Sequence, residues 1–166
     1  MVWLYDVQWV ARFDQATFDD LAQQFARDFG GLRPYVVREL QWYQSKGVDP
    51  PQAIKTDNVY GWGAALSGYN PDGRLGVAEV GPGFGPTDSC HRQGAAGCLL
   101  ADRRNGAYYA EQLSAALRSG HGIIAIETWN EFDESTGIAD TVELGRTYIE
   151  TTRRYSDAFH AGRRTL

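Results

Sequence analysis

Apolar positions along the chain change period in a regular order. "VWLYDVQWV" is rich in β-branched and aromatic residues, and the chain reads as a strand from its first residue. In "TFDDLAQQFARDF" the spacing becomes helical, with Phe18, Leu21, Ala22, Phe25 and Phe29 on one face. Thr17 is the expected N-cap and Gly30-Gly31 the expected stop. "RPYVVREL" is a second strand, and Pro50-Pro51 keeps the next stretch a loop. "NVYGWGAAL" and "GVAEVGPGF" read as the third and fourth strands, separated by the turn "GYNPDGRL". A long loop then leads to the helix "NGAYYAEQLSAALRSG", with Tyr109, Leu113, Ala116 and Leu117 in register. "GIIAIETW" is a fifth strand, and a last helix is expected over "TVELGRTYIETTRRYSDAF", capped by Asp140 or Thr141.

Strands such as "YVVREL" and "GIIAIET" are continuous apolar runs, the pattern of parallel strands covered on both faces. Strands followed by helices, with no hairpin signal, imply βα units. The expected fold class is therefore α/β: about five βα units, residues 1–166 as one domain, forming the C-terminal part of a (β/α)8 barrel. An open doubly wound sheet is the competing architecture. A chain that starts inside a strand also reads as a piece of something longer. The rest of the barrel would then come from missing sequence or from a second copy.

The strand ends carry the candidate chemistry. Asp6 closes the first strand, Glu39 and Trp42 the second, Trp62 the third, and Glu79 the fourth. Glu127, Trp129, Asn130 and Glu131 close the fifth, with Asp133 and Glu134 just beyond. In a βα barrel these ends share one face, where active sites lie. Carboxylates serve as acid, base or nucleophile in glycosidic cleavage. Trp and Tyr offer flat apolar faces with a polar edge, which suits pyranose rings.

On this reading Glu131 and Glu79 are the leading catalytic candidates and Glu39 the third. Trp42, Trp62 and Trp129 would stack on sugars, Asn130 would orient Glu131, and Glu127, Glu134 and Asp6 would contact substrate. Each residue also has a plainer reading. Asp6 could cap a strand, Glu39 could answer Arg38, and Glu127 could organise Arg or Asn neighbours. Asp133 and Glu134 could be loop acids, and Trp62 and Trp129 core. Glu79, inside an apolar strand, is costly unless paired or functional.

Composition narrows the classes. The 166 residues include five Trp and nine Tyr, at a net charge of −5, and no Lys/Arg block stands out beyond short pairs such as those in "TTRRY" and "GRRTL". Nucleic acid is therefore not an expected partner. No apolar run reaches the ~20 residues needed to cross a membrane as a helix. No Ser-His-Asp or Cys-His system, phosphate loop or metal cluster is apparent, so no cofactor is expected. Cys90 and Cys98 flank a Gly/Ala-rich loop. A disulfide between them would suit an extracellular or periplasmic protein, and two free thiols are the alternative.

"IETWNEFDESTGIADT" resembles the "SFNEWHEGTQIEP"-like motif of glycoside hydrolase family 99 and its family 71/99-like, endo-mannosidase-like relatives, through Asn130, Glu131, Glu134, Thr136 and Ile138. "GPGFGPTD" with "DRRNGAYYAEQLSAAL" is similar to that family's "SPGYDDT…R…GKYY" stretch, through Pro82, Gly83, Phe84, Asp88, Arg103, Gly106, Tyr108 and Tyr109. Asp133 stands where the family has His, Ser135 where it has Gly, and Gly137 where it has Gln. The resemblance covers about the C-terminal half. It implies a (β/α)8 barrel and endo-acting, retaining hydrolysis of α-mannosidic linkages. A non-catalytic carbohydrate-binding protein on an incomplete barrel is the alternative function.

Overall fold

The structure is a computed structural model that describes residues 1–5, 14–40, 54–85 and 99–166. Asp6, Trp42, Cys90 and Cys98 lie outside the described residues, so the expected disulfide and two of the expected sugar contacts do too. The chain divides into two units, Met1–Trp62 and Gly63–Leu166.

The first unit holds strand β1 (Val2–Leu4), helix α1 (Gln15–Asp28), β2 (Val36–Glu39) and β3 (Asn58–Tyr60). The three strands pair in sequence order and are all parallel, as the lack of a hairpin signal between them predicts. The register aligns Trp3 with Val37, Val37 with Asn58, and Glu39 with Tyr60. Because side chains alternate along a strand, Trp3, Val37, Glu39, Asn58 and Tyr60 share one face. Leu4 points to the other face, where it packs with Ile54 and with Phe18 of α1.

Helix α1 is capped three residues before the expected Thr17. Its cap is Asp14, whose carboxylate accepts from the Thr17 backbone N–H at 2.9 Å and from the Thr17 hydroxyl at 2.8 Å. A carboxylate satisfies an orphan N–H and also faces the positive helix end, so Asp14 takes the cap and Thr17 becomes the donor. Those bonds hold the Asp14 carboxyl below its usual value. The stop falls as expected: Gly30 and Gly31 both take positive φ, and the Gly31 N–H bonds back to the Ala26 carbonyl.

The second unit holds α2 (Ala64–Ser67), β4 (Ala78–Val80), a 3-10 turn (Arg104–Gly106), α3 (Ala107–Ser119), β5 (Ile124–Ile126) and α4 (Thr147–His160). β4 and β5 are parallel, with Ala78 opposite Ile124, Glu79 opposite Ala125 and Val80 opposite Ile126. Ala78, Val80, Ile124 and Ile126 face Tyr109, Leu113, Ala116 and Leu117 of α3 and Tyr148, Tyr155 and Ala158 of α4. The four buried residues of α3 are the four that the helical spacing picks out. Burying a side chain such as Leu113 or Leu117 contributes about 1.5–3 kcal/mol.

Two expected elements change. The strand expected through Leu66 ends at Tyr60, and Ala64–Ser67 forms a single helical turn after Gly63, whose φ is 110°. The last helix begins at Thr147, not near Thr141. Gly145, at φ 53°, closes a turn by donating its N–H to the Thr141 carbonyl at 2.7 Å. A glycine inside a helical pattern was the available sign of that break.

Candidate active site

The second unit gathers its polar groups at the C-terminal ends of β4 and β5. Glu79 points away from the helix-packed face, and so does Ala125 opposite it. Glu127 lies two residues past Ala125 and returns to the same side. Both glutamates are only 4% exposed. Their carboxyls are hydrogen-bonded to each other. Two carboxyls make such a bond only with a proton between them.

Glu127 has a second task. Its two carboxylate oxygens accept from the backbone N–H groups of Gly63, at 2.8 Å, and Ala65, at 3.0 Å. These are orphan donors at the start of α2, so Glu127 caps that helix from a distant strand. The neighbours it organises are therefore backbone amides, not the Arg or Asn side chains considered from sequence. Helix α2 in turn lies directly on the β4 exit: a Cβ on Gly81 would stand 2.3 Å from the Ala65 Cα, so only glycine fits there.

Burial lifts the Glu127 carboxyl above its usual 4.5, against the pull of the Ala65, Gly63 and Ala64 amides and of Glu79. Between 4.5 and the raised value the folded chain binds more protons than the unfolded one. The contribution to stability is therefore fully present below 4.5 and is lost as pH rises through the folded value. The Tm advantage of the wild-type chain over Glu127→Gln should accordingly shrink as pH is raised from about 4 to 8. Thermal denaturation across that range checks it, and an advantage that grows with pH would contradict the burial argument.

Beyond Glu127 the chain forms a closed loop. The Thr128 N–H bonds the Thr136 carbonyl at 3.0 Å, and the Thr136 and Gly137 N–H groups both bond the Glu131 carbonyl at 3.1 Å. The Glu131 N–H reaches the Thr128 hydroxyl at 3.1 Å. This backbone net turns Trp129, 60% exposed, and Phe132, 58% exposed, outward. Asn130 and Glu131 are exposed beside them, and Glu134 is half-buried. Trp129 is therefore a surface residue, not core.

Arg103 fastens the loop from outside. Its guanidinium donates to the Ser135 and Gly137 carbonyls, each at 2.8 Å, and to the Tyr148 hydroxyl at 2.9 Å. The same group lies 4.0 Å from the centroid of the Tyr148 ring. The segment after β4 completes the frame. Phe84 and Ala101 exchange backbone hydrogen bonds at 2.9 Å, and the Gly85 N–H bonds the Glu134 carbonyl at 2.9 Å. Gly83 is at φ 122°, and a Cβ there would meet the Ala101 carbonyl oxygen at 2.6 Å. The two sequence stretches that carry the family resemblance are thus in direct contact, through Gly85 and Glu134 and through Arg103 and the 135–137 backbone.

Glu39 and Trp62 belong to the first unit. Glu39 is buried on the face it shares with Tyr60, and Trp62 is 50% exposed, so it too is not core. Tyr109 lies in the helix core with its hydroxyl paired to Thr152 at 2.8 Å, and burial pushes it up to about 12, whereas Tyr108 is half-buried and donates its hydroxyl to the Leu66 carbonyl at 3.3 Å. Among the described residues no group of three or more His, Cys, Asp or Glu is placed to hold a metal ion. No described helix is long and apolar enough to cross a membrane.

Comparison with known proteins fits this geometry. The family model described as "Domain of unknown function (DUF5010)" matches residues 2–165. The chain belongs to the DUF5010 family. No curated protein matches the DUF5010 chain. Among solved structures it is similar to the GH99 endo-alpha-mannosidase from Bacteroides thetaiotaomicron, at a TM-score of 0.58 and 18% identity, over 91% of this chain and 64% of that one. It is also similar to a structure of that enzyme in complex with BIS-TRIS-propane, at a TM-score of 0.56 and 17% identity, over 90% of this chain and 68% of that one. At such identity the likeness is one of fold. The DUF5010 chain therefore has a mixed α/β fold with parallel strands, similar to a GH99 barrel protein and spanning somewhat less than two thirds of the first of these structures.

Proposed function

We propose that the chain is a single βα-barrel portion, residues 1–166, of a protein that hydrolyses glycosidic bonds, with Glu131 and Glu134 as the carboxylates that reach the sugar. The observation that carries this reading is the loop after β5: carboxylates and aromatic rings face solvent together at the C-terminal end of parallel strands, on a backbone fixed from several sides. Cleavage needs an acid and a base or nucleophile that can both touch the bond. Glu131 is exposed and Glu134 half-buried, whereas Glu79 and Glu127 are sealed off and already paired. The buried pair backs the loop by fixing α2 and the strand ends.

Trp129 would stack on a pyranose ring and Asn130 would bond its hydroxyls. Among substrates, α-mannosides come first, because the fold is similar to an endo-alpha-mannosidase. Non-catalytic carbohydrate binding is the second reading, and it is favoured by the burial of Glu39 and Glu79, two of the three acids that the sequence offers as catalysts. A panel of α- and β-linked oligosaccharides, read by reducing-end release and by calorimetry, separates the two. Release from any member supports the enzyme, and binding without release supports the binder. A panel that shows no binding and no release removes the carbohydrate reading.

A further inference from the structure

The first unit presents an aromatic surface of its own. Trp3, Glu39 and Tyr60 lie on the face of the β1–β2–β3 sheet opposite the one packed by Phe18. Tyr5 continues β1 on that face, and Trp62 continues β3. The rings confirm the placement. Trp3 meets Tyr60 edge to face at 5.2 Å between centroids, and Tyr5 meets Trp62 at 4.6 Å with 65° between planes. Tyr60 is buried and anchors the lower pair, whereas Tyr5 and Trp62 remain 54% and 50% exposed at the strand tips.

We propose that Tyr5 and Trp62 form a stacking platform for a pyranose ring at the tips of β1 and β3. Two large rings held half-exposed are costly unless something covers them. Their edge-to-face contact fixes both rings before any ligand arrives, so little conformational freedom is lost on binding. A neutral polyhydroxylated ring suits the surface better than an anion does. The floor carries a carboxyl group, and the whole chain has a net charge of −5. The proposal rests on the carbohydrate reading above but uses residues of the first unit alone.

The test is calorimetric titration of the 166-residue chain with neutral manno-, gluco- and galacto-oligosaccharides, comparing wild type with Trp62→Ala, Tyr5→Ala and the milder Trp62→Phe. For the sugar that binds wild type, Trp62→Ala and Tyr5→Ala are each expected to weaken affinity about five- to tenfold, with Trp62→Phe intermediate. Thermal denaturation confirms that the variants are folded. Wild-type affinity retained in both alanine variants overturns the platform and leaves the loop after β5 untouched. Failure of the wild-type chain to bind any of these sugars overturns the platform and the carbohydrate reading together. A quaternary ammonium such as tetramethylammonium serves as the competing probe: if it binds through Trp62 and the sugars do not, the surface is a cation site and the proposal fails.

Discussion

Glu131→Gln should lose glycosidic turnover by about 10²–10⁴-fold while keeping its affinity for the same carbohydrate and its melting temperature. The substitution preserves shape and removes only the ability to exchange a proton or attack. Nothing in the fold depends on the Glu131 charge: its backbone N–H and carbonyl carry the loop hydrogen bonds, and its side chain is exposed. Glu134→Gln should behave alike, since the bond from Gly85 also goes to its main-chain carbonyl. Glu79→Gln makes the informative contrast. An amide there can still donate to Glu127, so the buried contact survives and turnover should fall far less. Steady-state kinetics on the three variants, with calorimetric binding alongside, decides the matter. Loss of turnover in Glu79→Gln with little change in Glu131→Gln would move the chemistry to the buried pair.

Arg103→Met should destabilise the second unit by about 3 kcal/mol or more, because hydrogen bonds to a charged group contribute ~1.5–3 kcal/mol each and three are lost together. For a chain of this size that corresponds to a fall in Tm of very roughly 6–12 °C. Methionine fills much of the volume, so the loss isolates the hydrogen bonds and the contact with Tyr148. Arg103→Lys should recover little. One ammonium cannot reproduce the planar fork that meets the Ser135 and Gly137 carbonyls and the Tyr148 hydroxyl at once. Thermal denaturation measures the loss, and limited proteolysis should show new cleavage within residues 128–138. A lysine variant as stable as wild type would show that charge alone suffices and that the fork geometry is dispensable.

Helix α3 was legible because its information is local: four apolar side chains recur at helical spacing, and the same four are buried. Parallel pairing was legible for a related reason, since Val36-Val37 and Ile124–Ile126 leave no polar side for water. The start of α4 was misread because propensity favoured a longer helix, while a single glycine, Gly145, turned the chain. The cap of α1 was misplaced because Asp14 and Thr17 both fit by type, and only the direction of the hydrogen bond separates them.

The site was legible as a set of strand ends and illegible as a network. Glu79 announced itself as an acid in an apolar strand, yet its partner stands 48 residues later and no periodicity links the two. The roles of Arg103 and Glu127 depend on backbone groups, which no side-chain pattern encodes. Resemblance marked Arg103 as a matching position, and only the structure supplies what it holds.

The amides of Gly63 and Ala65 wait for a carboxylate 64 and 62 residues further along the chain. A helix of four residues has no standing of its own in water. Residues 63–67 therefore borrow their conformation: the amides that begin the turn are satisfied only where β5 lies beside β4 and brings Glu127 to them, so the earlier segment depends on the later strand for its shape.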